Sequence, residues 1–272
     1  MPSPGRNLPA AIGVGVGLAL ALVASVAWRP EPFVALVAVA VALAMWELAA
    51  AFDHVHIRLP FWPLAVGGVG MQVCAYLAGP TGVGVALVLT LIASVTWRFI
   101  DGVGANGVGT NFGRDAMASV FAAVYVGLLA SCVTLTAAIP GEGRWLALAV
   151  IVMPVANDIG GYTLGVLAGR HPLAPSISPK KTWEGLAGSL ALALAAGATA
   201  AILLHRPWWW GVLLGALAVG TSTLGDLAES LLKRALGLKD MGSLLPGHGG
   251  VLDRVDSILV TAPVGYAILG LA

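Results

Sequence analysis

Nine long, predominantly apolar stretches decide what this chain can become. They fall near 8–28, 33–52, 61–79, 82–98, 116–139, 145–168, 185–204, 208–228 and 254–272. A helix of about 20 apolar residues crosses the hydrocarbon layer of a bilayer. Lipid offers no partners to backbone N–H and C=O groups, so a crossing segment must be a helix or part of a closed barrel. A barrel would read as short alternating segments, and these runs do not alternate. Hydrophobic residues make up 58% of the sequence and charged residues 10%, far from the balance of a water-soluble core. The expected fold is all-α: a polytopic integral membrane protein with about nine transmembrane helices. The stretch at 82–98 is short for a crossing, and 208–228 ends in charge.

The first stretch carries Ala24-Ser25-Val26-Ala27, which resembles a small-residue cleavage site. Its apolar run exceeds the roughly 7–15 residues of a signal peptide, and only Arg6 precedes it, so it is read as an uncleaved first helix. Nine crossings put the two termini on opposite sides. One side then receives Arg6, Arg58, Arg98, Arg114, Arg170, Lys180, Lys181, Lys233, Arg234, Lys239 and Arg254, and the other only Arg29, Arg144 and Arg206. Cytoplasmic loops hold the excess of Lys and Arg, so the N-terminus and the polar loops should face the cytoplasm at the cell (inner) membrane. The sequence divides into N-terminal transmembrane helices, 1–140, and a C-terminal transmembrane catalytic region, 141–272.

Several features carry less than they first promise. A net charge of +1 gives no electrostatic footing for a nucleic-acid partner, so the bilayer is the expected surroundings. Cys74 and Cys132 lie far apart in apolar runs and read as small packing residues. Gly102-Val103-Gly104-Ala105-Asn106-Gly107 spells G-x-G-x-x-G, but no strand precedes it, so it reads as a glycine-rich loop. Trp208, Trp209 and Trp210 suit an interfacial belt, and Gly13, Gly15 and Gly17 suit close helix packing.

Three polar clusters remain. Asn157-Asp158 sits well inside an apolar run, where a carboxylate costs about 2.5–3.5 kcal/mol to insert. An interhelical bond that aids packing would answer for it, as would a polar site shared between helices. Ser178-Pro179-Lys180-Lys181-Thr182-Trp183-Glu184-Gly185 places hydroxyl, cations and an acid where a helix begins, a setting for an anionic headgroup or for an ordinary topogenic loop. The third cluster is the densest: of 27 charged residues, nine lie between Asp226 and Asp256. Asp226 and Glu229 are three apart and Lys233 follows Glu229 by four, so they can share a helix face. Asp253 and Asp256 repeat the spacing. Two such acidic pairs brought together could hold a hard cation such as Mg²⁺ through oxygen. Pro246-Gly247-His248-Gly249-Gly250 precedes a helix start, where free N–H groups can bind an anion. Acids beside several cations suit a polyphosphate with its Mg²⁺.

Ser230-Leu231-Leu232-Lys233-Arg234, Lys239-Asp240-Met241-Gly242 and Leu245-Pro246-Gly247-His248-Gly249-Gly250-Val251-Leu252-Asp253-Arg254-Val255-Asp256 together resemble the signature of the phosphatidate cytidylyltransferases, or CDP-diacylglycerol synthases. The segment 178–185 is similar to a second family segment. The resemblance covers about 157–256 and is only topological before that. It implies that CTP and phosphatidate give CDP-diacylglycerol and pyrophosphate with Mg²⁺ present, a phosphate oxygen of the lipid attacking the α-phosphorus of CTP. The residues assigned to metal are Asp226, Asp253 and Asp256, with Asp158 and Glu229 contributing. Lys233, Arg234, Lys239, Asp240, His248 and Arg254 form the catalytic group around the CTP phosphates and departing pyrophosphate. Ser178, Lys180, Lys181, Glu184, Asn157, Gly249 and Gly250 are expected to bind substrate. The family leaves room for a second, monovalent cation, and the sequence for a homodimer.

Two rival readings predict differently. A cation- or proton-coupled transporter would move solute across sealed vesicles and release no pyrophosphate from CTP. A CDP-alcohol phosphotransferase would begin its motif D-G-x-x-A-R, whereas Asp101-Gly102 is followed by Val103-Gly104-Ala105-Asn106. A membrane scaffold gives the paired acids no work.

Overall fold

The computed structural model describes residues 8–104, 111–175, 178–245 and 249–270. The helices are α1 (Leu8–Trp28), α2 (Pro30–Asp53), α3 (Phe61–Gly104), α4 (Phe112–Ala122), α5 (Leu129–Ala137), α6 (Gly143–Ala168), α7 (Trp183–Leu203), α8 (Trp208–Ala235) and α9 (Leu252–Gly270). A π-helical segment, Ala123–Leu128, links α4 to α5, and two short strands, β1 (Pro172–Ala174) and β2 (Ser178–Thr182), precede α7. Among the described residues, six helices are long and apolar enough to cross a membrane: Pro30–Asp53, Phe61–Gly102, Phe112–Ala137, Gly143–Ala168, Trp183–Leu203 and Trp208–Ala235. That makes the protein a helical membrane protein, with six such helices where the sequence led to about nine.

Part of the difference lies in α3. Gly79 interrupts it with φ +64°, and Pro80 follows. Glycine takes the left-handed conformation that other residues resist, and proline, lacking N–H, suits the first position of a new helix. A Cβ at Gly67 would fall 2.7 Å from Cβ of Thr90. Residues 23 apart on one straight helix would stand about 35 Å from each other, so α3 folds back on itself. The stretches expected at 61–79 and 82–98 are its two arms.

Compactness separates the chain into Met1–Leu128 with Leu236–Val255, and Leu129–Ala235 with Asp256–Ala272. Beside the 1–140 and 141–272 division drawn from the sequence, this grouping places residues 129–140 in the second unit and 236–255 in the first. In the first unit, Phe33, Met45 and Leu48 of α2 and Leu64 and Met71 of α3 are fully buried. Gln72 donates to Gly127 O at 3.2 Å, within the π segment, and to Gly68 O at 3.3 Å. At the open end of the α3 hairpin, Arg98 reaches Asp115 at 2.7 Å and Asp101 at 3.0 Å, and Arg58 N–H donates to Asp115 at 3.3 Å. Gly13 and Gly17 have open space where a Cβ would stand, so close helix packing does not depend on them.

Close packing appears instead in the second unit. A Cβ at Gly160 would lie 2.8 Å from the Gly188 carbonyl carbon, and one at Gly197 would lie 2.8 Å from that of Gly211. One at Gly215 would lie 2.5 Å from Ala193 O. Small residues thus let the backbones of α6, α7 and α8 touch, as membrane helices do when apolar burial cannot drive them together. Of the three tryptophans opening α8, Trp208 and Trp209 are exposed and Trp210 is buried. Cys74 and Cys132 are half-buried.

A short hairpin accompanies the helices. Strands β1 and β2 pair antiparallel, with Pro172 opposite Thr182 and Ala174 opposite Ser178. His171, Ala174 and Ser178 each precede proline, which pushes a residue toward extended backbone. Thr182 then caps α7, its hydroxyl accepting the Gly185 N–H at 3.1 Å.

Candidate functional site

The polar residues of the second unit gather where β2, α6, α8 and the start of α9 present side chains. Lys181, delivered by β2, lies 2.5 Å from Asp226 on α8. One turn on, Glu229 lies 2.5 Å from Lys233 in an i,i+4 pair, with the Glu229 side chain only 1% exposed. Asp256 stands within electrostatic reach of Glu229, Asp226 and Lys233. Ser257 N–H donates to Asp256 at 2.6 Å, and the Ser257 hydroxyl to Ser222 O at 3.2 Å. Three acids from two helices therefore converge, each with a cation or a polar anchor.

Asn157 is 4% exposed on α6. Its Nδ2 donates to Asp158 at 3.1 Å and to the Ser222 hydroxyl at 3.2 Å. Its Oδ1 is buried with no hydrogen-bond partner among the described residues. Ser189 fixes the same turn by donating to Asn157 O at 2.6 Å. A cavity of about 270 Å³ lies here, lined among others by Asn157, Asp158, Lys180, Lys181 and Asp226. A larger cavity of about 1210 Å³, in the first unit, is lined by residues such as Trp46, Arg58, Trp97 and Arg98 and holds none of the motif residues.

Other assigned residues make structural bonds. Glu184 accepts the N–H groups of Arg170 and His171 at 3.1 and 3.2 Å and meets His171 Nδ1 at 2.6 Å. It fastens the chain entering β1 to the start of α7, where the sequence led to a substrate contact. Asp253 accepts Met241 N–H at 3.0 and 3.2 Å and Gly250 N–H at 2.8 Å. Its carboxylate organises the loop before α9, and the Gly250 N–H expected to serve an anion is taken by it. Gly249, with φ +85°, turns that loop, and its carbonyl accepts Leu245 N–H at 2.9 Å. Ser178 is half-buried, while Lys180, Arg234, Lys239, Asp240 and Arg254 are exposed. His248 lies outside the described residues.

One residue escaped the sequence reading. Glu47, on α2, is 1% exposed and accepts Val251 N–H at 2.9 Å and Leu252 N–H at 2.8 Å. These are the amides at the opening of α9, which lack intrahelical partners. The only signal in the sequence was an acid inside an apolar run.

Chemically, the second unit offers carboxylate oxygens beside lysine cations at a helix end, a setting able to hold a polyanion and its counter-ion. Among the described residues no three His, Cys, Asp or Glu side chains form a ready cage. Mg²⁺ with a substrate phosphate needs only about one or two carboxylates, the phosphate oxygens and water completing its shell. The acids of α8 and α9 and the unpaired Asn157 Oδ1 are donors of the oxygen type it takes.

Comparison with known proteins agrees with this chemistry. The model of the cytidylyltransferase family matches residues 9–272. A phosphatidate cytidylyltransferase of Mycobacterium leprae is 40% identical over 285 residues, covering 99% of this chain and 90% of the relative. One of Mycobacterium bovis is 42% identical over 225 residues, 78% of this chain and 72% of the relative. One of Brucella suis is 49% identical over 112 residues, 41% of this chain and 42% of the relative. Matched along nearly its whole length by the family model and by a relative of the same name as the others, the chain belongs to the cytidylyltransferase family, as one of its phosphatidate cytidylyltransferase enzymes.

Proposed function

We propose that the protein joins CTP to phosphatidate at a cytoplasm-facing site in the cell membrane, giving CDP-diacylglycerol and pyrophosphate. The observation that carries this reading is the meeting of Lys181, Asp226, Glu229, Lys233 and Asp256 in one unit. A phosphate oxygen of the lipid forms the new P–O bond at the α-phosphorus of CTP, and the bond from that phosphorus to the pyrophosphate oxygen breaks. The nucleophile is already anionic, so no strong general base is needed. Position and charge neutralisation supply the rate.

Asp226 and Asp256 are the residues that would hold Mg²⁺, with Glu229, Asp158 and the Asn157 carbonyl close behind. The chemistry Mg²⁺ would supply there is neutralisation of the charge that builds on the phosphate oxygens. Lys181 and Lys233 are ion-paired to carboxylates in this structure and can exchange those partners for phosphate oxygens when the nucleotide arrives. Arg234 is an exposed cation suited to the outgoing pyrophosphate, and for Lys239, His248 and Arg254 the same role rests on the family resemblance. Lys180 and Ser178, on the hairpin, suit the lipid headgroup.

The test is purified protein incubated with CTP labelled in the cytidine, phosphatidate and Mg²⁺. A labelled lipid and an equal release of pyrophosphate are expected. Solute flux across sealed vesicles with no pyrophosphate released would replace this reading by transport.

A further inference from the structure

We infer that Glu47 is a positioning residue for cytidylyl transfer, an inference that rests on the function proposed above. An acid in a membrane helix costs about 2.5–3.5 kcal/mol to insert, so its retention calls for a specific partner. Here the partners are two backbone amides more than 200 residues away, Val251 N–H at 2.9 Å and Leu252 N–H at 2.8 Å. A carboxylate at a helix N-terminus meets both the orphan donors and the positive end of the helix dipole.

The loop is shaped to admit that side chain. A Cβ at Gly250 would stand 2.6 Å from Glu47 Oε2, and one at Gly242 would stand 2.6 Å from its Cδ. Both glycines therefore leave the volume that the carboxylate fills. Asp253 closes the same loop through Met241 and Gly250. Glu47 thus sets where α9 begins, and α9 opens with Leu252-Asp253-Arg254-Val255-Asp256. A first turn whose orphan amides lose their acceptor frays, and Arg254, which rides on that turn, then loses its fixed place. Glu47 need touch no substrate to control the reaction.

The experiment measures kcat and KM per folded molecule for the parent, Glu47→Gln, Glu47→Ala, Gly250→Ala and the Glu47→Ala/Gly250→Ala double variant, with thermal unfolding in detergent beside each. Misplacing a reacting group by about 1 Å costs on the order of 100-fold in rate, and a loss of that order in kcat is expected for Glu47→Ala. Glu47→Gln keeps one acceptor and should fall between it and the parent, with most of each loss in kcat. Gly250→Ala should be impaired alone yet add little to Glu47→Ala, because the methyl then occupies vacated space. Glu31→Gln, an exposed acid on the same helix, should match the parent. Should Glu47→Ala fail to fold, Glu47→Gln and Gly250→Ala decide the matter. An active parent with Glu47→Gln and Gly250→Ala both at parental kcat overturns this inference alone. An inactive parent overturns the functional reading and this inference with it.

Discussion

Replacing Asp226 with Asn separates stability from catalysis. The Lys181–Asp226 pair is short, 2.5 Å, but its side chains are 24% and 33% exposed. Solvent screening limits such a pair to at most about 1 kcal/mol. Asn keeps the volume and one acceptor oxygen, so the thermal midpoint should fall by no more than about 4 °C. Activity should respond far more. Neutralising a carboxylate that would hold the Mg²⁺ beside the phosphates removes part of the transition state's electrostatic support, worth about 100- to 1,000-fold in kcat, and the Mg²⁺ concentration for half-maximal rate should rise. Lys181→Met breaks the same pair from the other side and should show the same small thermal change. The assay is labelled cytidine transfer to lipid across a Mg²⁺ titration, with unfolding followed in the same detergent. Asp226→Asn with kcat within about threefold of the parent and an unmoved Mg²⁺ requirement would refute the assignment.

Three further outcomes follow from other parts of the molecule. Arg98→Ala leaves Asp115, 3% exposed, without its 2.7 Å partner, and should destabilise by about 3–5 kcal/mol; an unchanged thermal midpoint counts against it. Gly215→Leu drives side-chain bulk against Ala193 O, which even a Cβ would approach to 2.5 Å. It should part α7 from α8 at a loss of at least about 1–3 kcal/mol, seen as earlier melting or faster proteolysis. In a cysteine-free background, Lys180→Cys should react with an impermeant thiol reagent only from the cytoplasmic face and Arg206→Cys only from the opposite one; labelling of both from one face refutes the orientation.

Membrane residence was legible in the sequence because apolar excess is a bulk property that no tertiary arrangement can conceal. The break between 79 and 82 was legible too, since glycine and proline announce it locally. The convergence of Asp226, Glu229 and Lys233 followed from helical spacing alone. Asp253 and Asp256 share that spacing yet part company: one carboxylate is captured by loop amides and the other stands within electrostatic reach of Glu229. Backbone donors carry no sequence signal, so nothing foretold the capture. Glu47 was hidden for the same reason, as its partners are main-chain groups on a distant helix. The structural bonds of Glu184 were not legible, because a carboxylate beside lysines looks like part of their site, while these bonds run to the neighbouring chain at 170–171. The β1–β2 hairpin was missed because a stretch with Pro172, Pro175 and Pro179 followed by Lys180 and Lys181 looks like an irregular loop.

The one-residue reversal at Gly79 bears on how the protein reaches the bilayer. No charged residue lies between Arg58 and Arg98, so the bend itself holds no signal that could keep it on either side. The arms on both sides of it are apolar, and the basic residues beyond their far ends are what resist translocation. Such a pair is best delivered together, bend first, since carrying an uncharged turn across demands no burial of charge. Biogenesis would then treat residues 61–104 as a single insertion event.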